Sequence, residues 1–315
     1  MVPAASVDCL CAGIVVADLV CSPLERLPRP GELVVTSGLL LTLGGCAANV
    51  AVDLAKIGVS VGIAGRVGDD DLGQFARNFL SRAGVDTSTL RVEPGRQTSA
   101  TQVVNVRGED RRFIHATGTN DLIDGSEVDL ERLARAKVLY CGGFLLNKSW
   151  TGPKLARLLA HARELGVTTV VDVVLPGEGD FRPELAAVLP YADVFLPNND
   201  EGHVLTGLAD PVAQANWYRD LGAKTVVVTC GSEGAKLAGP DGLIHQPPFQ
   251  MEYVDGTGSG DAFAAGFIRG LLKGLDTRDC LRMGAALGAS SVRAAGATTG
   301  VFNGDELDAF LAAAK

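Results

Sequence analysis

The sequence predicts an α/β fold in which a doubly wound, mostly parallel sheet carries helices on both faces. Short apolar runs bounded by turn residues alternate with stretches of helical periodicity along most of the 315 residues. The runs are apolar throughout rather than alternately polar, which is typical of strands covered on both faces. Two segments rich in Val, Leu and Thr, at 31–43 and 98–115, interrupt this alternation and predict a second, smaller β-sheet.

The elements follow from these patterns in chain order. Strands of the main sheet are predicted at 7–16, 60–67, 137–141, 168–174, 192–196 and 225–230. Helices are predicted at 47–57, 71–83, 154–165, 214–221 and 262–272, and Gly58 and Gly84 follow the first two as typical C-caps. We expect one domain over residues 1–315. Its discontinuous β-sheet, from 31–43 and 98–115, is interpreted as a lid over a crevice, although it could be only an added sheet edge.

Composition limits the function classes. The formal charge of −9 argues against a sequence-independent nucleic-acid binder, which needs a basic face. An odd count of seven cysteines without paired metal-ligand spacing favours reduced thiols in a cytoplasmic protein and no zinc site. Neither a signal peptide nor an apolar run of about 20 residues, as a membrane span needs, is expected.

The most informative segment is the Gly-rich turn at 255–261, where Gly256, Gly258 and Gly260 precede Asp261 and a predicted helix. Backbone N–H groups of such a turn, together with the helix dipole, favour binding of a phosphate. A carboxylate beside this anion site suits a base that takes a proton from an attacking hydroxyl. The alternative is a packing turn with a capping Asp. The turn lacks the Lys of a Walker A loop, and Asp261 replaces the third glycine of the dinucleotide-binding fingerprint.

Four further segments could contribute to the same site, and each has a purely structural alternative as a turn or cap. Asp18 follows an apolar run, and Gly44-Gly45-Cys46-Ala47-Ala48-Asn49 leads into a predicted helix. The segments 198–201 and 229–234 each end a predicted strand. In open α/β sheets this edge binds ligands.

Together these motifs resemble the ribokinase-like carbohydrate kinases of the PfkB family, along nearly the whole chain. The Gly-Gly-x-x-x-Asn, Asn-x-x-Glu and Thr-x-Gly-x-x-Gly motifs of that family are matched at 44–49, 198–201 and 229–234, and a further typical segment lies at 65–73. The signature Asp-Thr-x-Gly-Ala-Gly-Asp is matched at 255–261, with Gly256 for Thr and Ser259 for Ala. Cys46 and Ala285 also depart from residues that several members carry, which makes ribose as sole substrate doubtful.

The resemblance implies a role for each matched position. Asp261 is implied to be the catalytic base, with the anion hole formed by Gly258, Ser259 and Gly260. The implied sugar contacts are Asp18, Gly45 and Asn49. The implied ATP contacts are Asn198, Thr229, Gly231 and Gly234. Glu201 is implied in the Mg²⁺ environment, and a K⁺ site, used by only some members, is implied at Asp255, Ser291, Gly296 and Gly300.

The predicted function is transfer of the γ-phosphoryl group of ATP to a hydroxyl of a small carbohydrate, with Mg²⁺ and, in some members, K⁺ as cofactors. The alternatives are a nucleoside kinase of the same family and a non-catalytic sugar- or nucleotide-sensing protein. An aromatic content of 5% mildly favours a sugar over a nucleoside. Arg111 and Arg112 could pair with an anionic group of the substrate or be surface charges. Exposed edges of the lid could form a homodimer, and neither nucleic acid nor membrane is an expected partner.

Overall fold

The computed structural model describes residues 6–109 and 112–314. In chain order its strands are β1 Cys9–Gly13, β2 Val16–Cys21, β3 Leu39–Gly44, β4 Val61–Gly68, β5 Leu90–Glu93, β6 Ala100–Val104, β7 Arg112–Ala116, β8 Val138–Phe144, β9 Thr168–Val173, β10 Val194–Phe195, β11 Thr225–Thr229, β12 Ala235–Gly239 and β13 Gly242–Gln246. Its helices are α1 Cys46–Lys56, α2 Asp71–Arg82, α3 Leu130–Leu133, α4 Gly152–Glu164, α5 Arg182–Val188, α6 Asn199–Thr206, α7 Pro211–Asp220, α8 Ser259–Leu272, α9 Thr277–Ser291 and α10 Gly304–Ala313.

Nine strands of the described chain form the main sheet, in the order β13-β12-β11-β10-β9-β8-β1-β4-β5. The pairs from β11 to β5 are parallel, and β12 and β13 extend the sheet as antiparallel strands at one edge. Strand β1, in the interior of the sheet, pairs with β4 on one side and β8 on the other. The predicted mostly parallel sheet is therefore confirmed.

Helices cover both faces of this sheet. Side chains of a strand point alternately to its two faces. Cys9 and Cys11 of β1 accordingly join the core under α1, α8 and α9, whereas Leu10 and Ala12 join the core under α4, α5 and α7. Because both faces are buried, the strand runs are apolar without alternation. The doubly wound arrangement is thus confirmed as well. Of the described helices, none is long and apolar enough to cross a membrane.

The small sheet has four described strands in the order β3-β2-β6-β7. Strand β2 pairs antiparallel with β3 and parallel with β6, and β7 pairs antiparallel with β6. A second sheet is confirmed, but two of its predicted bounds were wrong. Within the predicted segment 31–43 only 39–43 is strand, and the segment 16–21 belongs to the sheet although it was not predicted to do so.

The apolar run at 7–16, predicted as one strand, is divided between the two sheets. The chain leaves the main sheet at Gly13, whose φ of 138° is a backbone conformation that favours glycine. It enters the small sheet at Val16. Continuous apolarity conceals this division, since residues 9–17 are all buried. Leu33 and Val35 are the opposite case, since their apolar side chains favour a strand, yet both are 84% exposed and lie outside the strands.

Candidate active site

The first turn of α8 carries the predicted anion hole. Gly258 is the N-cap with φ 77°, and a Cβ there would collide with the backbone of Ala297, so glycine is required. The first N–H groups of a helix have no acceptor within the helix. Beside them, no atom lies within 4 Å of the position that a Cβ of Gly260 would occupy. Gly260 therefore borders an open space at the first turn, where backbone N–H groups are available to an anion, although the Ser259 N–H already donates to the carbonyl of Gly256 at 3.3 Å.

Asp261 lies in the same turn, and its carboxylate Oδ2 accepts a hydrogen bond of 2.8 Å from Asn49 Nδ2. Asn49 is held there by α1, which begins after Gly45 at φ 91°, where a Cβ would lie 2.6 Å from the carbonyl oxygen of Ile14. Burial raises the pKa of Asp261 to about 6, against the hydrogen bonds from Asn49 and Cys46, which lower it. The carboxylate is therefore ionised at neutral pH but is a stronger base than an ordinary aspartate.

Asp18 reaches the site from the small sheet. It lies on β2 opposite Thr42 of β3, and its carboxylate occupies the space that a side chain at Gly44 would need. Burial raises the pKa of Asp18 to about 6, and a hydrogen bond with Thr101 opposes this shift. The negative charge of Asp18 in turn raises the pKa of Asp261. The structure thus brings Asp18, Gly45 and Asn49 together with Asp261, although it places Asp18 within a strand rather than after one.

A second carboxylate next to Asp261 was missed from the sequence. Ligand atoms of Cys46, Asp172 and Asp261 all lie within 4.8 Å of one another. Asp172 lies near the carboxyl end of β9, where its Oδ2 accepts a hydrogen bond of 2.9 Å from the buried Tyr140 hydroxyl. Burial, Glu201 and Asp261 raise the pKa of Asp172. The available signal was a carboxylate near the carboxyl end of an apolar strand, at the same edge of the sheet as the segments 198–201 and 229–234.

Asn198 and Glu201 form a capping box at the start of α6. Asn198 Oδ1 accepts from the Glu201 backbone N–H at 2.8 Å, and Glu201 Oε2 accepts from the Asn198 backbone N–H at 2.9 Å. These residues therefore do cap the helix, which is the structural role that the sequence left as their alternative. Even so, the pKa of Glu201 is raised to about 7, mainly by burial and further by the charges of Asp261 and Asp200. The hydrogen bond from the Asn198 backbone opposes this shift. Its carboxylate thus faces the charges of the site while it caps the helix.

The segment 229–234 lies beside the capping box. The Thr229 backbone N–H donates to the carbonyl of Pro197 at 3.1 Å, which joins the ends of β11 and β10. Gly231 has φ 52° and open space where a side chain would be. Gly234 has φ 84°, and a side chain there would strike the backbone of Gln246. Gly231 therefore faces space that a ligand could fill, with Thr229 two residues before it, whereas Gly234 is required by the turn itself.

The residues of the predicted monovalent-cation site lie at the end of α9, where Ser291 is the last helical residue, and in neighbouring loops. Asp255 Oδ2 accepts from the Gly296 backbone N–H at 3.1 Å. The hydroxyl of Ser291 donates to the carbonyl of Gly288 at 2.8 Å, and the Gly300 carbonyl accepts from Arg293 at 2.6 Å. Asp255 and Gly296 are thus joined by a hydrogen bond, while the hydroxyl of Ser291 and the carbonyl of Gly300 already have hydrogen-bond partners.

Arg112 gives no support for the anion contact that the sequence left open. Arg112 forms an ion pair with Glu109 at the surface. Arg111 lies outside the described residues.

Comparisons with known proteins identify the family and agree with the fold. The model of the pfkB family carbohydrate kinases matches residues 7–302. The chain is 33% identical to the ATP-dependent ribose-1-phosphate kinase of Halopiger xanaduensis, over 85% of this chain and 86% of that protein. It is 31% identical to the aminoimidazole riboside kinase of Salmonella typhimurium, over 85% of this chain and 87% of that protein. The solved structure of Arabidopsis thaliana ribokinase complexed with ribose and ATP superposes with a TM-score of 0.85 at 24% identity, covering 98% of this chain and 99% of that chain. The chain therefore belongs to the pfkB family of carbohydrate kinases, which are ATP-dependent phosphotransferases with a hydroxyl acceptor.

Proposed function

We propose that this kinase transfers the γ-phosphoryl group of ATP to a hydroxyl of a small sugar or sugar derivative, with Asp261 as the base. The observation that carries the proposal is the position of Asp261. Its carboxylate is fixed by Asn49 at 2.8 Å, in the helix turn where Gly260 borders an open space. Base and anion site therefore lie side by side, as an in-line attack on a phosphoryl group requires.

The chemical step follows from this arrangement. Asp18 accepts hydrogen bonds from acceptor hydroxyls, while the backbone at Gly45 and the amide of Asn49 help to fix the sugar. Asp261 takes the proton as the acceptor oxygen bonds to the γ-phosphorus. The bond between that phosphorus and the β–γ bridging oxygen breaks, and ADP leaves. The N–H groups at Gly258, Ser259 and Gly260 stabilise charge on the transferred group, and most of the catalysis is positioning and electrostatics.

ATP is proposed to bind along the carboxyl ends of β10 and β11, against Asn198, Thr229, Gly231 and Gly234. The neighbouring carboxylates fit Mg²⁺. Besides burial, the charges of Glu201 and Asp261 raise the pKa of Asp172, and the charge of Asp261 raises the pKa of Glu201. A divalent cation would relieve this repulsion. Glu201 and Asp172 would hold the ion. When bound, it would neutralise charge on the ATP phosphates.

A K⁺ site is proposed with Asp255 at its centre, with Ser291 at the end of α9 and with Gly296 and Gly300 in the adjoining loops. Its support is the carboxylate of Asp255, which accepts a hydrogen bond from the backbone N–H of Gly296. Replacing KCl by tetramethylammonium chloride should lower both activity and thermal stability. Equal values of both in the two salts would remove this site from the account.

The acceptor is tested by ADP release. The purified chain is assayed with ATP and Mg²⁺ over ribose, ribose 1-phosphate, fructose and nucleosides, with Asp261→Asn as the blank. We expect release above the blank with a sugar or sugar phosphate. A nucleoside kinase is the second candidate, favoured by the 31% identity to aminoimidazole riboside kinase. Preference for a nucleoside would select it, and ADP release from the blank equal to that of the wild type would contradict Asp261 as the base.

The small sheet is proposed to act as a lid and to pair with a second copy of the chain. Its edge strands β3 and β7 expose large apolar side chains, among them Leu39 at 60%, Phe113 at 60% and Ile114 at 69%. Exposed apolar strand edges tend to be covered by another chain. Ile114→Lys should convert a dimer to a monomer in light scattering. A monomeric wild type would contradict this assembly. A cytoplasmic location is also proposed, supported by seven cysteines that are all free.

A further inference from the structure

A groove of about 530 Å³ lies between α1 and α2, on a part of the molecule that the proposed reaction does not use. Two aromatic rings form much of its wall. Phe75 and Phe79 are half-buried, with ring centroids 5.9 Å apart and planes inclined by 58°. Val52 of α1 lines the groove opposite them. These surfaces suit a flat apolar group, because an aromatic ligand gains both burial and ring contacts there.

The charge around the groove is opposite to that of the protein. The chain has a formal charge of −9, yet Lys56 and Arg82 line the groove and no carboxylate does so among the described residues. Arg82 has no ion-pair partner within residues 6–109 and 112–314. Burial and Arg293 lower the pKa of Lys56, whereas the charges of Asp53 and Glu306, which lie outside the lining, raise it. The groove therefore offers two cations to an anionic group.

Lys56 also connects the groove to the active site. Its ammonium group donates to the carbonyls of Thr298 and Thr299, each at 3.3 Å, and Thr298 itself lines the groove. The same loop contacts the anion hole, because the backbone of Ala297 occupies the space that a side chain at Gly258 would need. An anion that draws Lys56 away from these carbonyls would thus release a loop that supports the first turn of α8.

We propose that this groove binds a planar organic anion, an aromatic ring that carries a phosphate or carboxylate, and that its occupancy alters phosphoryl transfer through Lys56 and the loop 297–299. The ring packs against Phe75 and Phe79, and the anionic group lies between Lys56 and Arg82. Asn78, which also lines the groove, is available for a polar contact at the rim. The site is a regulatory one, separate from the binding of ATP and acceptor.

Binding is tested with 1-naphthyl phosphate as the probe, titrated into the full chain by calorimetry with a saturating non-hydrolysable ATP analogue present. Arg82→Ala is compared with Arg77→Ala, a matched change on the exposed face of the same helix and outside the groove. A hydrogen bond to a charged group is worth about 1.5–3 kcal/mol, so Arg82→Ala should weaken binding about tenfold or more. Arg77→Ala should bind as the wild type does.

Two further measurements separate the parts of the proposal. Inorganic phosphate and 1-naphthol should each bind much more weakly than the phosphate ester, while 1-naphthoate shows whether a carboxylate suffices as the anion. The probe should change kcat at saturating substrates in the wild type and in Arg77→Ala, but not at the same concentration in Arg82→Ala. The proposal is overturned if the ATP analogue abolishes binding, if both variants bind equally, or if the probe binds without any change in kcat.

Discussion

The hydrogen bond from Asn49 to Asp261 gives a prediction of defined direction for the pH profile. Asn49→Leu removes the donor at 2.8 Å while keeping a similar side-chain volume. A hydrogen bond to a charged group is worth about 1.5–3 kcal/mol, and 1.36 kcal/mol corresponds to one pKa unit. Taking the lower end of this range, we expect the pKa of Asp261 to rise by about one unit.

The sign follows from the role of a base, which acts only when ionised. Burial already raises the pKa of Asp261 to about 6, and the variant moves it to about 7. At about pH 6 the ionised fraction then falls from about one half to about one tenth, so kcat relative to its high-pH plateau drops about fivefold. The assay is kcat at saturating acceptor and ATP, measured between about pH 5 and pH 9.

Asp18→Asn provides the opposite control. The charge of Asp18 raises the pKa of Asp261, so its removal should move the acid limb of the profile to lower pH. KM for the acceptor should increase in both variants, since both side chains are proposed to contact it. If the acid limb of Asn49→Leu coincides with that of the wild type, the titrating group is not Asp261 and the reasoning fails.

Three further predictions concern the surrounding structure. Gly258→Ala should lower both Tm and activity, because φ is 77° and a Cβ would collide with backbone. Gly260→Ala should keep the Tm but lower kcat, because its methyl group enters the open space of the anion hole. Equal Tm losses in both variants would contradict this. Asp53 is fully buried, and neither of its carboxylate oxygens has a hydrogen-bond partner among the described residues. Burial raises the pKa of Asp53, so stability is lost as pH rises from the ordinary pKa of an aspartate through this raised pKa. Asp53→Asn should therefore raise Tm at about pH 8 more than at about pH 5, and a uniform shift would count against it. Asp308→Ala leaves Arg269, which is 8% exposed, without its two bonds of 2.8 and 2.9 Å, and should cost about 1–3 kcal/mol in chemical denaturation; a change of less than about 0.5 kcal/mol would show the pair to be unimportant.

The fold class and the motifs at the sheet edge could be predicted because both depend on local pattern. Apolar runs fully covered by helices, and glycines that must adopt positive φ, leave a direct mark on the sequence. Gly258 is such a case, since its conformation and its contact with Ala297 exclude other residues. The order of these motifs along the chain then identified the family.

The remaining features depend on contacts between distant segments. Nothing in the apolar run at 7–16 marks Gly13 as the point where the chain changes sheets. Asp172 lies beside Asp261 only because β9 ends near the first turn of α8, and its partner Tyr140 comes from β8. Asp53 resembles any polar residue of an amphipathic helix until the packing of α1 against α8 buries it. The chemical type of such a residue can be read from the sequence, but its position relative to the site depends on the tertiary structure.

The role of Asp261 is the central claim, and Asp261→Asn tests it most directly. The amide keeps the size of the side chain but cannot take a proton from the acceptor hydroxyl. We expect kcat to fall by about 10²–10⁴, as for loss of a general base, while the Kd of ATP measured by calorimetry and the Tm remain close to those of the wild type. Turnover near the wild-type value in this variant would contradict Asp261 as the base.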